Sequence, residues 1–527
     1  MAIWLDGADR AALEQYVADG KLPFFKRLKD ASAYGKLRNN LLFESLYYNL
    51  LTGCSAETLN HWFPLQYDPV GCGLKYGSVD FQQTPPFYAM ADRRKIVIFD
   101  IPQAPLSPEL DGYQIRGWGT HADGVKGKSL PVGLIEKLVE TFGDSPGFVN
   151  DTAELDDPQS LTRLFEQMEE SIKRRVAIIK ELWRRDQWNL VLACFGEIHL
   201  GTHFFWPHPD LNERPGFPLL EDGRRKLYQQ LDSALEDIAE ILDEDTTLLL
   251  FSSRGMEDNR ADLPNSVILP EMLFRYSFPG QVALDFDPAR HSPSPESQAG
   301  IINWVMEIWN YRRRTGHFPL WLRKHVEPAT AVTLERCFGI APTLFQPEGF
   351  EVANFSPAVW YSPYWPRMKA FALPTFSWGA VRVNVRGRDR DGIVLPSAYE
   401  QTCTEIVDQL SELRDLKTGV PAVKEVIRTR SATDLSDRGK PDADLIVHWS
   451  RGIRNGFESP RFGKIGPLPY FRAGSHYSDG FGFLKGPGIK AGSKLKEWEM
   501  IDIAPTILDL LGASIPAHMD GRPLRVE

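Results

Sequence analysis

Asn189-Leu190-Val191-Leu192-Ala193-Cys194-Phe195-Gly196-Glu197-Ile198-His199-Leu200-Gly201-Thr202-His203 is the stretch that decides the fold. Its first half is a short unbroken apolar run, the pattern of a strand buried on both faces. At Gly196 the pattern breaks, and three ionisable residues, Glu197, His199 and His203, follow at once. Two histidines four apart share one face of a helical turn, so both rings can converge on one point. A buried strand that empties into ionisable residues is what the carboxyl edge of a doubly wound sheet looks like in sequence.

The same plan recurs outward from this stretch. Apolar runs at 3–5, 96–99, 248–251 and 445–447 each end in turn or polar residues. Between them, 161–185 and 227–242 carry apolar residues at three- and four-residue intervals. Strands alternating with helices predict an α/β fold with a doubly wound, mostly parallel sheet and helices on both faces. The stretch 278–369 breaks the alternation with prolines, aromatics and an amphipathic segment. It divides the core into 1–277 and 370–527 and reads as a mainly helical insertion, either packed on the core or covering the site as a lid.

Composition narrows the class. The 527 residues include 43% hydrophobic and 25% charged residues, and the net charge is -10. That is the profile of a globular chain, and the acidic balance speaks against a nucleic-acid-binding surface. No apolar run reaches the roughly 18 residues of a membrane span. Five scattered cysteines make neither a disulfide framework nor a cysteine metal site. With no signal-peptide pattern in Ala2-Ile3-Trp4-Leu5-Asp6-Gly7, a cytoplasmic protein without membrane or nucleic-acid partners is expected.

The other strand ends carry candidates too. Asp6-Gly7 follows the first run, and a carboxylate before a glycine can reach a metal or simply make a turn. Ser252-Ser253-Arg254-Gly255-Met256 ends the run at 248–251, and Gly474-Ser475-His476 stands near the C-terminus. Glu197 is a third ligand, a base, or the carboxylate that fixes a histidine tautomer.

These residues together resemble the type I phosphodiesterase and nucleotide pyrophosphatase branch of the alkaline phosphatase superfamily. The resemblance runs through Asp6-Gly7, Gly20-Lys21-Leu22-Pro23-Phe24 and Leu51-Thr52-Gly53 to His203-Phe204-Phe205-Trp206. It continues through Ser252 to Met256, Asn384 with Gly387-Arg388, and His476. Asp502-Ile503-Ala504-Pro505-Thr506 and Met519-Asp520-Gly521-Arg522-Pro523 complete it. It implies the superfamily's α/β fold and two ions clamping a phosphoryl group.

Carried over, it puts one ion on His199, His203 and His476, with His199 where an Asp is usual. The second ion would keep Asp6, but its Asp-His pair is here Ser253-Arg254, and a guanidinium cannot ligate a metal. The nucleophile falls near Phe43-Glu44-Ser45, with Ser45 the residue able to do the chemistry. Arg254 either holds an anionic oxygen or pairs with Asp6, while Glu197 or Glu44 could shuttle protons or, for Glu44, line the substrate.

Three functions remain open at this point. One is a one-metal hydrolase or group-transfer enzyme, with zinc or a similar divalent ion, acting on a phosphate-, sulfate- or similar anion-bearing small molecule. The second is a metal-free transferase or lyase built around Arg254. The third is a catalytically inactive binding protein.

Overall fold

The computed structural model describes residues 1–39, 45–77, 79–91, 94–119, 127–146, 158–207, 217–286, 357–452, 455–468 and 472–527, with single positions at 308, 311, 326, 330, 334 and 344. Most of the expected insertion, with its lid reading, lies outside them, as do Phe43 and Glu44. Two compact units emerge, one of Met1–Leu59, Val79–Glu257 and Arg472–Glu527, the other of Asn60–Ser78 and Asp258–Phe471.

The first unit is built on an eight-stranded sheet. Its strands are β1 (Ala2–Leu5), β2 (Ala33–Arg38), β3 (Ile96–Phe99), β4 (Gly112–Arg116), β5 (Lys128–Leu130), β6 (Leu190–Phe195), β7 (Leu248–Ser252) and β8 (Asp479–Lys485). They lie in the order β2-β8-β7-β1-β6-β3-β4-β5. The five central strands from β7 to β4 run parallel. β8 runs antiparallel to β2 and β7, and β5 antiparallel to β4.

Burial follows the composition of each strand. Every residue of β1, β3, β6 and β7 is buried, as their unbroken apolar runs require, whereas edge strand β2 carries Lys36 and Arg38. The helical patterns become α2 (Pro158–Arg184) and α4 (Phe217–Ala239), which pack against each other. Between them comes α3 (Glu197–Phe204), and early in the chain lies α1 (Leu46–Thr52). α2 turns Leu161, Leu164, Met168, Ile172, Val176 and Ile179 inward, the three- and four-residue spacing of an amphipathic helix.

The fifth expected strand lies elsewhere. Leu445–Trp449 belongs to a four-stranded antiparallel sheet in the second unit, between Gly379–Val383 and Val423–Arg428. A buried apolar run reads alike in parallel and antiparallel sheets, so the periodicity could not separate them. Arg388 and Asn384 of the resemblance also serve this unit. Arg388 donates to both oxygens of buried Asp444 at 2.6 and 2.8 Å, and Asn384 Nδ2 donates to the carbonyls of Trp365, Met368 and Asp391.

Candidate functional site

Three neighbouring strand ends build the site. β1 and β6 pair in parallel with Leu5 opposite Phe195, and the Asp6 amide donates to the Phe195 carbonyl at 3.3 Å. Asp6 and α3 therefore leave the sheet side by side. β7 lies on the other flank of β1 and ends in Ser252, which delivers Ser253 and Arg254. His476 comes from the strand Gly474–Tyr477, paired with Gly255–Asp258.

Two glycines permit the close approach. Gly7 has φ +76°, and a Cβ there would lie 3.1 Å from the Cα of His199. A Cβ on Gly474 would run into the carbonyl oxygen of Thr202 on α3.

The three histidines meet by their Nε2 atoms. His203 Nε2 lies 3.3 Å from His199 Nε2 and 3.2 Å from His476 Nε2. An ion bound tetrahedrally at ordinary zinc–nitrogen distances holds its ligand nitrogens roughly 3.3–3.4 Å apart. The opposite ring nitrogens of two histidines are occupied. His199 Nδ1 pairs with Asp6 Oδ2 at 2.9 Å, and His203 Nδ1 with the Gly474 carbonyl at 2.8 Å. A proton on each Nδ1 leaves the Nε2 lone pairs facing one another, which is how outer partners prepare metal-ligating histidines.

His476 is held neutral. Burial, then the Arg254 cation and the other two imidazoles, push its pKa well below the ordinary range. Among the described residues, these three bring one ligand atom each within 4.8 Å of one another. Converging lone pairs repel unless a proton or a cation lies between them, so this donor set fits a divalent ion.

Asp6 faces a second partner. Arg254 Nε lies 3.6 Å from Asp6 Oδ1, and Arg254 Nη2 donates to the Tyr47 hydroxyl at 3.2 Å. That hydroxyl donates to Asp6 Oδ2 at 3.3 Å. Burial first, then the Asp6 carboxylate, raise the Tyr47 pKa above the phenol range and keep the group protonated. Ser253 takes a hydrogen bond from Trp4 Nε1 at 3.2 Å.

The remaining candidates have other partners. Glu197 accepts from Arg175 Nε at 2.8 and 3.1 Å and from Ser171 at 2.6 Å. Arg175 also pairs with Asp100 at 3.0 Å, and all three ionic side chains are fully buried. The Glu197 carboxylate is thus a counter-charge that anchors the start of α3. Ser45, 2% exposed, sits just before α1 and donates its hydroxyl to Asn49 Oδ1 at 3.0 Å.

Tyr47, two residues on, is the hydroxyl that reaches Asp6, and the sequence reading passed over it. The signal lay in helical spacing, which turns residues 45 and 47 to different sides of α1. The Gly474 carbonyl carries no side-chain signal at all.

No protein-family model matches the chain, and neither does any curated protein. Solved structures do. A phosphonoacetate hydrolase from Sinorhizobium meliloti 1021, in complex with phosphonoformate, is 12% identical with a TM-score of 0.45, covering 97% of this chain and 94% of its own. Human ectonucleotide pyrophosphatase / phosphodiesterase 5 is 11% identical with a TM-score of 0.43, covering 99% and 96%. The murine protein of the same name is 10% identical with a TM-score of 0.45, covering 98% and 96%.

Proposed function

We propose that this chain is a divergent, one-ion member of the alkaline phosphatase superfamily. It hydrolyses or transfers a phosphate-, sulfate- or similar anionic group of a small molecule. The observation that carries the reading is the triangle of Nε2 atoms, 3.2–3.3 Å along two sides, with Asp6 and the Gly474 carbonyl fixing the rings behind it. His199, His203 and His476 would hold the ion, and zinc suits three imidazoles with a fourth position open. When bound, it supplies Lewis-acid polarisation of an oxygen on the anionic group.

The chain's own charges explain why the ion matters. Ligation requires neutral imidazoles, and the Asp6 carboxylate cancels the Arg254 guanidinium. Without a dication these five side chains offer an anion no net charge of their own, and the further cation acting on His476 is Arg472. Arg254 orients the anionic group through planar donors that match tetrahedral oxyanions. Asp6 holds the His199 tautomer, and the Gly474 carbonyl does the same for His203. No second ion is included, because Ser253 and Arg254 stand where its ligands would be.

Elemental mass spectrometry on protein purified without chelator tests this, beside a His203→Ala variant. The expected result is about one divalent ion per chain, lost in the variant. Cleavage of an aryl phosphate, phosphonate or sulfate ester should disappear with the ion. Two ions per chain, or none taken up on titration, would overturn the reading.

A further inference from the structure

The two sides of Asp6 are bonded unequally. Toward the histidines the contacts are short, 2.9 Å to His199 and, one ring further, 2.8 Å from His203 to Gly474. Toward Arg254 every contact is long. Tyr47 to Asp6 is 3.3 Å, Arg254 to Tyr47 is 3.2 Å, and Arg254 to Asp6 is 3.6 Å. Charge-assisted bonds settle at about 2.7–2.9 Å, so a guanidinium and a carboxylate this near have stopped short of closing. Arg254 Nε is buried and makes no hydrogen bond. Two donors, that N–H and the Tyr47 hydroxyl, therefore stand together without a full-strength acceptor.

We propose that Tyr47 and Arg254 form an oxyanion cradle beside the three histidines, and that Tyr47 binds the anion directly. On binding, the Tyr47 hydroxyl turns its proton from Asp6 Oδ2 to an oxygen of a tetrahedral oxyanion, and Arg254 Nε donates to the same group. The Tyr47 ring is held against Trp4, with centroids 5.6 Å apart, and the Arg254 guanidinium carbon lies 5.8 Å from its centroid. On the Tyr47 side the change is one of hydroxyl torsion, and that torsion is free to follow its partner.

Ser45 is no competitor for this role, since its hydroxyl is donated to Asn49 within α1's first turn. The switch leaves the Asp6–His199 pair in place. The inference rests on the one-ion reading for its net charge but not for its donors.

The test is calorimetric titration with inorganic phosphate and sulfate. Wild type, Tyr47→Phe and Ser45→Ala are compared, each with its ion content measured on the same preparation. Losing a hydrogen bond to a charged group should weaken phosphate binding about tenfold in Tyr47→Phe. Ser45→Ala should stay within about twofold, and ion content should be the same in all three.

Phosphate affinity unchanged in Tyr47→Phe would overturn the cradle, as would an equal loss in Ser45→Ala. So would wild type that holds its ion yet binds neither anion. Wild type without an ion that still binds phosphate through Tyr47 would support the cradle and remove the one-ion reading. Wild type with neither ion nor phosphate would remove both, and the separate ion measurement tells these failures apart.

Discussion

Helix α3 begins in one buried polar cluster and carries another, and the two differ in how their charges and lone pairs are compensated. At its first residue, Glu197 meets Arg175, which also reaches Asp100 and the Cys194 carbonyl. The guanidinium also lies near the rings of Phe99, Trp118 and Phe195. Burial alone would lower the Arg175 pKa, yet Glu197 and Asp100 together hold it above its ordinary value. Two residues on, His199 opens a cluster in which two of the three outer nitrogens are bonded, His476 Nδ1 making no hydrogen bond, and whose inner nitrogens point at one another. In the first network a cation and two carboxylates compensate one another in charge, although Arg175 Nη2 makes no hydrogen bond; in the second, neutral lone pairs converge, an arrangement that a bound cation would satisfy.

Breaking the charge-compensated cluster should have the largest effect. Arg175→Met leaves the Glu197 and Asp100 carboxylates buried without their counter-cation, with donors remaining from Ser171 and the Trp118 and Gly119 amides, and an uncompensated buried ion costs about 3–5 kcal/mol. Denaturant unfolding of the ion-free protein should show a clearly lower midpoint. A change under about 1 kcal/mol would mean that Glu197 and Asp100 find water or protons easily, and the contrast between the clusters would fall.

The open cluster should answer to ion rather than to denaturant. Asp6→Asn keeps the shape of the side chain but loses the charge that holds the His199 proton. Outer partners of this kind typically change metal affinity by about 10–100-fold. Competition with a chelator of known affinity measures it. Unchanged affinity would show that Asp6 answers to Arg254 rather than to the ion site.

The same contrast explains what was legible in the sequence. Six unbroken apolar residues at Leu190–Phe195 can only be buried, so the central sheet and its site-bearing edge followed from pattern alone. His199 and His203 followed from strand-end position and helical spacing, whereas His476 joined them only through the family resemblance. Glu197 stands on the same turn as His199, yet its partner Arg175 lies on a distant amphipathic helix where an arginine reads as solvent-facing. Nothing local told a base from a counter-charge. Tyr47 was hidden because α1 follows a segment whose register against the motif was ambiguous, and one residue's shift changes the side that faces Asp6. The backbone carbonyl of Gly474 belongs to a class of partner that no residue identity encodes.

The smallest effect is the one that pH should draw out. His476 titrates well below the ordinary histidine range in the folded chain, because burial and the Arg254 cation disfavour its proton. In the unfolded chain the same ring takes its proton near pH 6.5. As pH falls below that value the unfolded state binds the extra proton first, so stability drops; above it, both states are neutral and the contribution is constant. One proton makes the slope at most about 1.4 kcal/mol per pH unit, running from about 6.5 down to the folded value. In the ion-free protein, His476→Gln should flatten this part of the stability profile while leaving the region above pH 7 parallel to wild type. An unaltered acid slope would place the titration on another group and would make the open cluster as closed to protons as the Arg175 network.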